Sequence, residues 1–560
     1  MPPESCYLQY RSPHACIARI AIITIALSVV NPITTQAADV ATRATSSSIG
    51  TATAAALPDL GEASDMSASA ERRLGDRIAR ELYRDPDYIE DAVIMEYVQG
   101  IWQPLLAAAR LRGELPAELD EHFAWEVLLG KDRTVNAFAL PGAYLGLHLG
   151  LVAVVSSRDE LASVLAHELS HVTQRHISRM VARQGEQTPL MVGAMILGIL
   201  AASKNAQAAG ALVVGGQAAA AQSQLNFSRD MEREADRVGF GVSTQAGFAP
   251  EGFVSMFAKL EQASRLNDTG GFPYLRSHPL STERMADMQA RLPQIASGGG
   301  AGKGLAVAQA VDHAMVSARA RVLAYGAVDD LRSWAAESDA AALAHQTPAQ
   351  QAGSLYGATL AALKLRDFSG ASALWARLVA QVRHDAAAAR LARLLGVELF
   401  LAQGDAVRAL ALLRPDAVAG ATAQSGDAQV TDTPRADLFL LAQAAVQGSQ
   451  QRPLPVAAAE GLTAATQRLQ TWVALHPRDA QAWQTLATVY AAQGRTLGAI
   501  RAQAEVDMAQ LDYTAAVARF KSAQEWVRSG GPGVDHIEAS IVETRLREAL
   551  SLAREQALER

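Results

Sequence analysis

The sequence predicts a mainly α-helical protein that carries a small β-sheet in its first half and only helices in its second half. Apolar residues recur at helical spacing from about Ala70 to Arg112, whereas residues 122–155 contain short extended runs around a Pro141-Gly142 turn. Aromatic residues make up only 5% of the chain, and alanine is abundant in the second half. This mixture favours closely packed helices, because alanine has the best helix propensity.

Length and composition limit the classes of protein to consider. A chain of 560 residues is too long for one core, so we expect two to four domains. Hydrophobic residues make up 49% and charged residues 19%, which is typical of a globular protein. The net charge of −7 argues against a nucleic-acid partner, because there is no basic surplus to neutralise phosphates.

The N-terminus is predicted to be a signal peptide over residues 1–38, followed by a flexible leader over 39–68. Arg11 precedes the apolar stretch IARIAIITIALSVV, and Arg19 lies near its start. Small residues follow at TTQAAD. The alternative is an uncleaved membrane anchor, although the apolar run is short for a span. Both cysteines, Cys6 and Cys16, lie in this segment, so the exported protein would have neither a disulfide nor a thiol nucleophile.

The first folded domain is predicted over residues 69–295. Ser157-Arg158-Asp159-Glu160 has the pattern of a capping box that opens a helix with apolar neighbours. The apolar segment 190–202 is too short to span a bilayer. We interpret it as a core or lid helix, with contact to a membrane surface or an apolar substrate as the alternative.

A glycine-rich linker over residues 296–304 separates this domain from a helical region over 305–560. Three stretches of this region share one pattern, which begins at Asp367, Asp405 and Asp512, and a complementary pattern begins at Trp483. Together they resemble the paired helices of degenerate tetratricopeptide repeats, with an ordinary helical bundle as the alternative. Residues 415–434 are predicted to form a long loop between repeats.

Residues 166–176, AHELSHVTQRH, carry the clearest chemical signal. His167 and His171 are four residues apart, so on a helix both imidazoles lie on one face and can reach one zinc ion. Glu168 is the neighbour of the first histidine and can act on a water at the same ion, as in the H-E-x-x-H arrangement. The alternative is a polar helix face that is rich in histidine by chance.

Such a site needs a third protein ligand and one open position. Glu232 and Asp236 are also four residues apart, in FSRDMEREADRVGFG. We expect Glu232 to bind the metal and Asp236 to hydrogen-bond a ligating imidazole, fixing its tautomer. Glu234 is the competing ligand, but it would face away from the side that Glu232 and Asp236 share.

Two further histidines have open roles. His176 is about a quarter-turn from the ligand face, so we expect a surface position or a contact behind a ligand. His278 precedes Pro279 in SHPLSTER, where an X-Pro turn restricts the backbone. It is a candidate for a removable fourth zinc ligand, for an oxyanion hydrogen-bond donor, or for simple loop packing.

This constellation predicts hydrolysis of peptide bonds with one Zn²⁺ per chain. Zinc lowers the pKa of a bound water to about 7, and Glu168 would take the proton and pass it to the leaving amine. Residues 134–140, TVNAFAL, are a candidate edge strand on which a substrate binds as an added strand. The alternative for this segment is ordinary sheet core.

The stretches NAFALPG, ASVLAHELSHVTQRH and SRDMEREADRVGF resemble the HtpX-like zinc metallopeptidases. The resemblance implies a zincin-type metallopeptidase domain with zinc on His167, His171 and Glu232. It also implies that Glu168 is the catalytic base and that Asp236 supports a ligand or donates a proton. The signal peptide, the SHPL loop and the repeats narrow it to periplasmic members of Gram-negative bacteria that act on outer-membrane proteins.

Two functions are therefore expected. The first is a periplasmic metalloendopeptidase that acts on misfolded or stalled outer-membrane proteins and docks to the barrel assembly machinery through its repeats. The second is a chaperone or adaptor that works mainly through the repeats and keeps a latent protease activity. Peripheral contact with a membrane is compatible with both.

Overall fold

The computed structural model describes residues 66–183, 228–266, 273–292, 302–414, 434–530 and 535–558. All of them belong to one compact unit. The predicted signal peptide, most of the leader, the apolar segment 190–202 and most of the loop 415–434 lie outside the described residues. None of the helices in the described ranges combines the length and the apolar character that crossing a membrane requires.

The first half of the protein combines helices with a small sheet. The helices are α1 (Ala68–Tyr83), α2 (Ala92–Leu111), α3 (Ala117–His122), α4 (Leu149–Val154), α5 (Arg158–Thr173), α6 (His176–Arg183), α7 (Arg229–Gln245), α8 (Glu251–Leu266), α9 (Tyr274–Ser277) and α10 (Thr282–Arg291). The strands are β1 (Tyr88–Ile89), β2 (Glu126–Gly130), β3 (Ala137–Leu140) and β4 (Tyr144–His148).

The four strands form one mixed sheet in the order β1-β2-β4-β3. β2 and β4 pair in parallel, while the β1–β2 and β3–β4 pairs are antiparallel. The predicted turn is present as a short 3₁₀ turn over Pro141–Ala143, where Gly142 has a φ of 71°, a left-handed conformation that favours glycine. Among the described strands, β3 lies at the edge of this sheet, which agrees with the edge strand predicted at residues 134–140 for its last four residues, Ala137–Leu140.

Helix α5 carries the histidine motif and is buried from Glu160 to Thr173. The Ser157 hydroxyl caps it by accepting a hydrogen bond from the Glu160 backbone N–H at 3.1 Å. The predicted capping box is only half correct, because the Glu160 carboxylate accepts from the Ser156 N–H and pairs with Lys259. Attraction to a lysine on α8 draws the carboxylate away from the backbone N–H of the capping residue.

The second half is helical throughout its described residues, as predicted. Its helices are α11 (Gly302–Ala324), α12 (Val328–Ala336), α13 (Ala340–Leu343), α14 (Pro348–Lys364), α15 (Phe368–Val382), α16 (Ala386–Ala402), α17 (Ala406–Leu412), α18 (Arg435–Ser449), α19 (Val456–Leu475), α20 (Ala480–Ala492), α21 (Thr496–Ala509), α22 (Tyr513–Arg528) and α23 (His536–Leu558). The mainly α fold class with a small sheet is confirmed.

The recurring sequence pattern has a clear physical basis. Each of its three aspartates caps a helix, because its side chain accepts a backbone N–H three residues later. The alanine four residues after each aspartate is fully buried, so neighbouring helices can approach closely; these residues are Ala371, Ala409 and Ala516. Assignment of these helices to tetratricopeptide repeats, and their number, stays a prediction.

The helical region packs directly on the first half of the protein. On α11, the imidazole of His313 lies 2.9 Å from the Val155 carbonyl oxygen and 2.7 Å from the Tyr97 hydroxyl. Arg319, 6% exposed, pairs with Asp91 before α2 and with Glu398 on α16. Helix α11 also takes in the last three residues of the predicted linker. One hydrophobic cluster consequently continues from the first half into the helical region.

Candidate metal centre

Helix α5 brings His167 and His171 side by side, as their spacing predicts. Their Nε2 atoms are 3.0 Å apart, and the two residues are 2% and 0% exposed. Such burial of two imidazoles is costly unless their nitrogens find partners. The pair therefore needs a further charged group or an ion.

Helix α7 supplies the carboxylate. Glu232 Oε1 lies 3.4 Å from His171 Nε2, and Glu232 Oε2 lies 3.5 Å from His167 Nε2. Glu232 is in the first turn of α7, where the positive end of the helix dipole stabilises a carboxylate. The helices can approach this closely because Gly239 faces the backbone of α5: a Cβ there would lie 3.0 Å from the Ala166 oxygen.

His278 joins this group from the loop between α9 and α10. Its Nδ1 lies 3.0 Å from Glu232 Oε1 and 3.4 Å from His167 Nε2. Its ring packs on Tyr274, with the ring centres 4.6 Å apart, and the residue is 2% exposed. The structure thus brings His278 into the cluster, whereas the sequence left three roles open.

The geometry of the four side chains fits a tetrahedral ion. One ligand atom from each of His167, His171, Glu232 and His278 lies within 4.8 Å of all the others. Five separations among these side chains, which involve both oxygens of Glu232, are 3.0–3.5 Å. Ligands about 2.0–2.1 Å from a tetrahedral zinc ion are about 3.3 Å from each other. Imidazole and carboxylate donors suit zinc, although other divalent ions use the same donors.

Glu168 lies beside this cluster and is fully buried. Its Oε2 accepts a hydrogen bond from the backbone N–H of Ala139, on the edge strand β3, at 2.9 Å. Its Oε1 makes no hydrogen bond within the described residues and lies 3.4 Å from His278 Nε2. Burial raises the pKa of this carboxyl group, while nearby His278 and His167 oppose the rise. One oxygen is therefore anchored and the other remains available.

Asp236 lies behind His167. Its Oδ1 is 2.9 Å from His167 Nδ1, so it touches the imidazole on the side opposite the cluster, where it can fix the tautomer. Burial acts to lower the pKa of His167, but Asp236 and Glu232 outweigh burial and raise it to about 10. This geometry matches the contact expected for Asp236, and a catalytic role for it stays a prediction.

Three further side chains lie around the cluster. His176, expected at the surface or behind a ligand, is fully buried, and its Nδ1 lies 2.9 Å from His171 Nδ1. Glu234, the competing ligand candidate, instead contacts His176 and Arg179.

Arg284 was not among the residues that the sequence indicated. Its guanidinium binds both Asp236 and Glu232. No spacing rule identifies it, because the contacts join separate helices.

The profile of peptidase family M48 matches residues 98–292, a range that contains the whole cluster. Together with the buried His-His-Glu-His geometry, this match indicates that residues 98–292 form a metallopeptidase domain similar to those of family M48.

The chain is similar to curated relatives of this type. It is 32% identical to the beta-barrel assembly-enhancing protease of Escherichia coli (strain K12) over 241 residues, 43% of this chain and 47% of that protein. It is 28% identical to the protein of that name from Yersinia pestis over 491 residues, 87% of this chain and 91% of the relative. It is 26% identical to the mitochondrial metalloendopeptidase OMA1 of Saccharomyces cerevisiae over 203 residues, 35% of this chain and 55% of that protein. The chain thus spans about half the length of the Escherichia coli and yeast relatives.

Proposed function

We propose that this protein is a periplasmic zinc metalloendopeptidase that hydrolyses peptide bonds of misfolded or stalled outer-membrane proteins. The observation that carries the proposal is the convergence of His167, His171 and Glu232 beside the buried carboxylate of Glu168. Two imidazoles, one carboxylate and an adjacent general base are the groups that a hydrolytic zinc site requires.

In this proposal the side chains divide the chemical work. When bound, zinc supplies a Lewis acid that polarises the scissile carbonyl group and lowers the pKa of a water molecule to about 7. Glu168 Oε1 takes the proton of the attacking water and delivers it to the leaving amine, while Oε2 stays anchored on Ala139. Asp236 keeps His167 in the tautomer whose Nε2 faces the ion.

The substrate is proposed to bind as an extended strand along β3. This strand lies at the edge of the sheet and touches the proposed base through Ala139, so a peptide on it would run past the ion. Main-chain hydrogen bonds tolerate many sequences. This mode of binding suits a protease that acts on unfolded segments more than on one sequence.

The site of action and the partners are inferred from other features. The apolar stretch after Arg11 and Arg19 has the pattern of a signal peptide for export to the periplasm. The names of two relatives refer to beta-barrel assembly, which supports outer-membrane proteins as substrates. The helical region over 305–560 is proposed to dock on the barrel assembly machinery or on the substrate.

A second candidate function is a chaperone or adaptor with latent protease activity. It is favoured by the position of His278, whose Nδ1 lies within 3.4 Å of both Glu232 and His167. If His278 holds the fourth zinc position, a substrate carbonyl and a water have no room there until the loop moves away. In that state the helical region would do the binding and cleavage would be rare.

The full chain with zinc, incubated with unfolded casein and with a stalled barrel precursor, tests the proposal. We expect cleavage that stops on chelation and returns with added zinc. In cells that lack the protein, Glu168→Gln should then fail to restore outer-membrane protein assembly. A Glu168→Gln chain that restores assembly as well as the unaltered chain would favour the adaptor instead.

A further inference from the structure

Arg284 is a buried cation that the chemistry above does not use. It lies in the first turn of α10, six residues after His278, and is only 5% exposed. Its guanidinium packs over the Phe257 ring, 5.3 Å from the ring centre. A buried charge is expensive unless every donor finds a partner, so its contacts indicate what holds it there.

The first set of contacts joins Arg284 to helix α7. Its Nε and Nη2 donate to the two oxygens of Asp236 at 2.6 and 2.8 Å, and its Nη1 lies 2.8 Å from Glu232 Oε2. Asp236 and Glu232 are 1% and 2% exposed. Two buried carboxylates one helical turn apart repel each other, and the guanidinium compensates both.

The second contact joins the same side chain to the His278 loop. Arg284 Nη1 donates to the Pro279 carbonyl oxygen at 2.8 Å, so this nitrogen touches both the loop backbone and Glu232. His278, one residue before, has its Nδ1 3.0 Å from the other oxygen of Glu232. The loop and the carboxylate are thus connected twice, through His278 and through Arg284.

We propose that Arg284 is a positioning residue that couples retention of the metal to closure of the His278 loop. While the guanidinium is in place, Glu232 and Asp236 keep their orientation and Pro279 stays on the cluster. When the loop moves, Arg284 loses one acceptor, and its hold on Glu232 weakens as well. The coupling rests on the proposed function, because it assumes that the cluster binds zinc.

An arginine is required for this role, and a lysine cannot replace it. The guanidinium offers five donors in a planar fork, whereas an ammonium group is a point charge that cannot meet Asp236, Glu232 and Pro279 together. Arg284→Lys therefore keeps the charge and protects the fold while it removes the geometry. Arg291→Gln is a matched control, because Arg291 lies on the same helix and, among the described residues, forms its ion pair with Asp287 at the surface.

The test uses the full zinc-loaded chain and two measurements besides activity. The first is the rate at which zinc passes to an excess of a chromogenic chelator. The second is hydrogen exchange of the backbone amides between residues 278 and 282, except Pro279, which has no N–H. We expect Arg284→Lys to release zinc at least ~10-fold faster and to exchange these amides faster, with the amides of α5 unchanged. Arg291→Gln should match the unaltered chain in both.

Any other result would contradict the proposed coupling. Zinc release by Arg284→Lys at the unaltered rate would show that Arg284 does not hold the ligands. Faster release with unchanged exchange at 278–282 would show that it acts on the carboxylates alone and not on the loop. An unaltered chain that takes up no zinc would overturn the proposed function and the coupling with it.

Discussion

The backbone N–H of Ala139 donates a hydrogen bond to Glu168 Oε2 at 2.9 Å. This bond links the edge strand β3 to helix α5, although the two segments are separated by β4 and α4. It uses an N–H that an edge strand would otherwise leave unpaired. The proposed general base and the proposed strand for substrate binding are therefore held in a fixed relation.

Replacement of Glu168 tests its role as a base. Glu168→Gln keeps an oxygen that can accept the Ala139 N–H, so we expect an unchanged thermal unfolding midpoint and unchanged metal content. Cleavage of unfolded casein should fall at least ~100-fold, because general-base catalysis contributes roughly that much or more. Glu121→Gln, on an exposed residue of α3, is the control. Cleavage by Glu168→Gln at the unaltered rate would refute the mechanism.

Replacement of His278 distinguishes its three candidate roles. Since its Nδ1 lies 3.4 Å from His167 Nε2 and 3.0 Å from Glu232 Oε1, we expect it to occupy the fourth ligand position. His278→Ala should then raise the initial rate of casein cleavage severalfold, while the exposed His345 can be changed to alanine without effect. A reduced rate would favour oxyanion support, and an unchanged rate would favour loop packing.

Gly239 tests the contact between the two helices that carry the cluster. A Cβ at this position would lie 3.0 Å from the Ala166 oxygen and 3.1 Å from the His167 nitrogen. Gly239→Val should push α7 away from α5, cost ~1–3 kcal/mol and weaken zinc uptake, as measured by thermal unfolding and zinc titration. Gly326→Val is the control, because a Cβ added at Gly326 would meet no atom of the described residues within 4 Å. Equal stability and zinc uptake in both variants would contradict the argument.

Glu126 on β2 predicts a dependence of stability on pH. Burial raises the pKa of Glu126 to about 7 from the ordinary 4.5, although Tyr83, Arg478 and Arg72 oppose the rise. The folded state therefore binds the proton more tightly than the unfolded state. The stability that the protonated carboxyl contributes is lost as the pH rises from about 4.5 to 7.

Glu126→Gln removes this dependence, because the amide cannot ionise. Its oxygen can still accept the hydrogen bond from the Tyr83 hydroxyl. The variant should exceed the unaltered chain by ~1–3 kcal/mol at pH 8 and match it more closely at pH 5. Thermal unfolding midpoints at both pH values measure the difference. Glu118→Gln, at an exposed site, should follow the unaltered chain. A difference of equal size at both pH values would disprove the assignment.

The sequence was sufficient where chemistry follows from local spacing. His167 and His171 share a face because four residues make one helical turn, and Glu232 and Asp236 do so for the same reason. The aspartates of the recurring pattern are helix caps, because an aspartate side chain can accept a hydrogen bond from the helical backbone N–H three residues later. These relations depend only on neighbours along the chain.

The sequence was insufficient where a contact joins distant segments. Nothing in the spacing of SHPLSTER indicates that Arg284 binds Asp236 and Glu232, since these contacts exist only after α7 and α10 pack together. The spacing also gives no sign that His313 on α11 contacts Val155 and Tyr97, and the division into domains around 296–304 stays a prediction. Likewise, the capping box placed the Glu160 carboxylate on the backbone N–H of Ser157, but the carboxylate accepts from Ser156 and pairs with Lys259 on another helix.

Metal analysis of the purified protein tests the central claim most directly, with His167→Ala and Glu232→Ala measured beside it. We expect about one zinc ion per unaltered chain and little metal in either variant at the same degree of folding by circular dichroism. A folded unaltered chain without metal, or variants that retain a full equivalent, would contradict the assignment of His167, His171 and Glu232 as a metal centre.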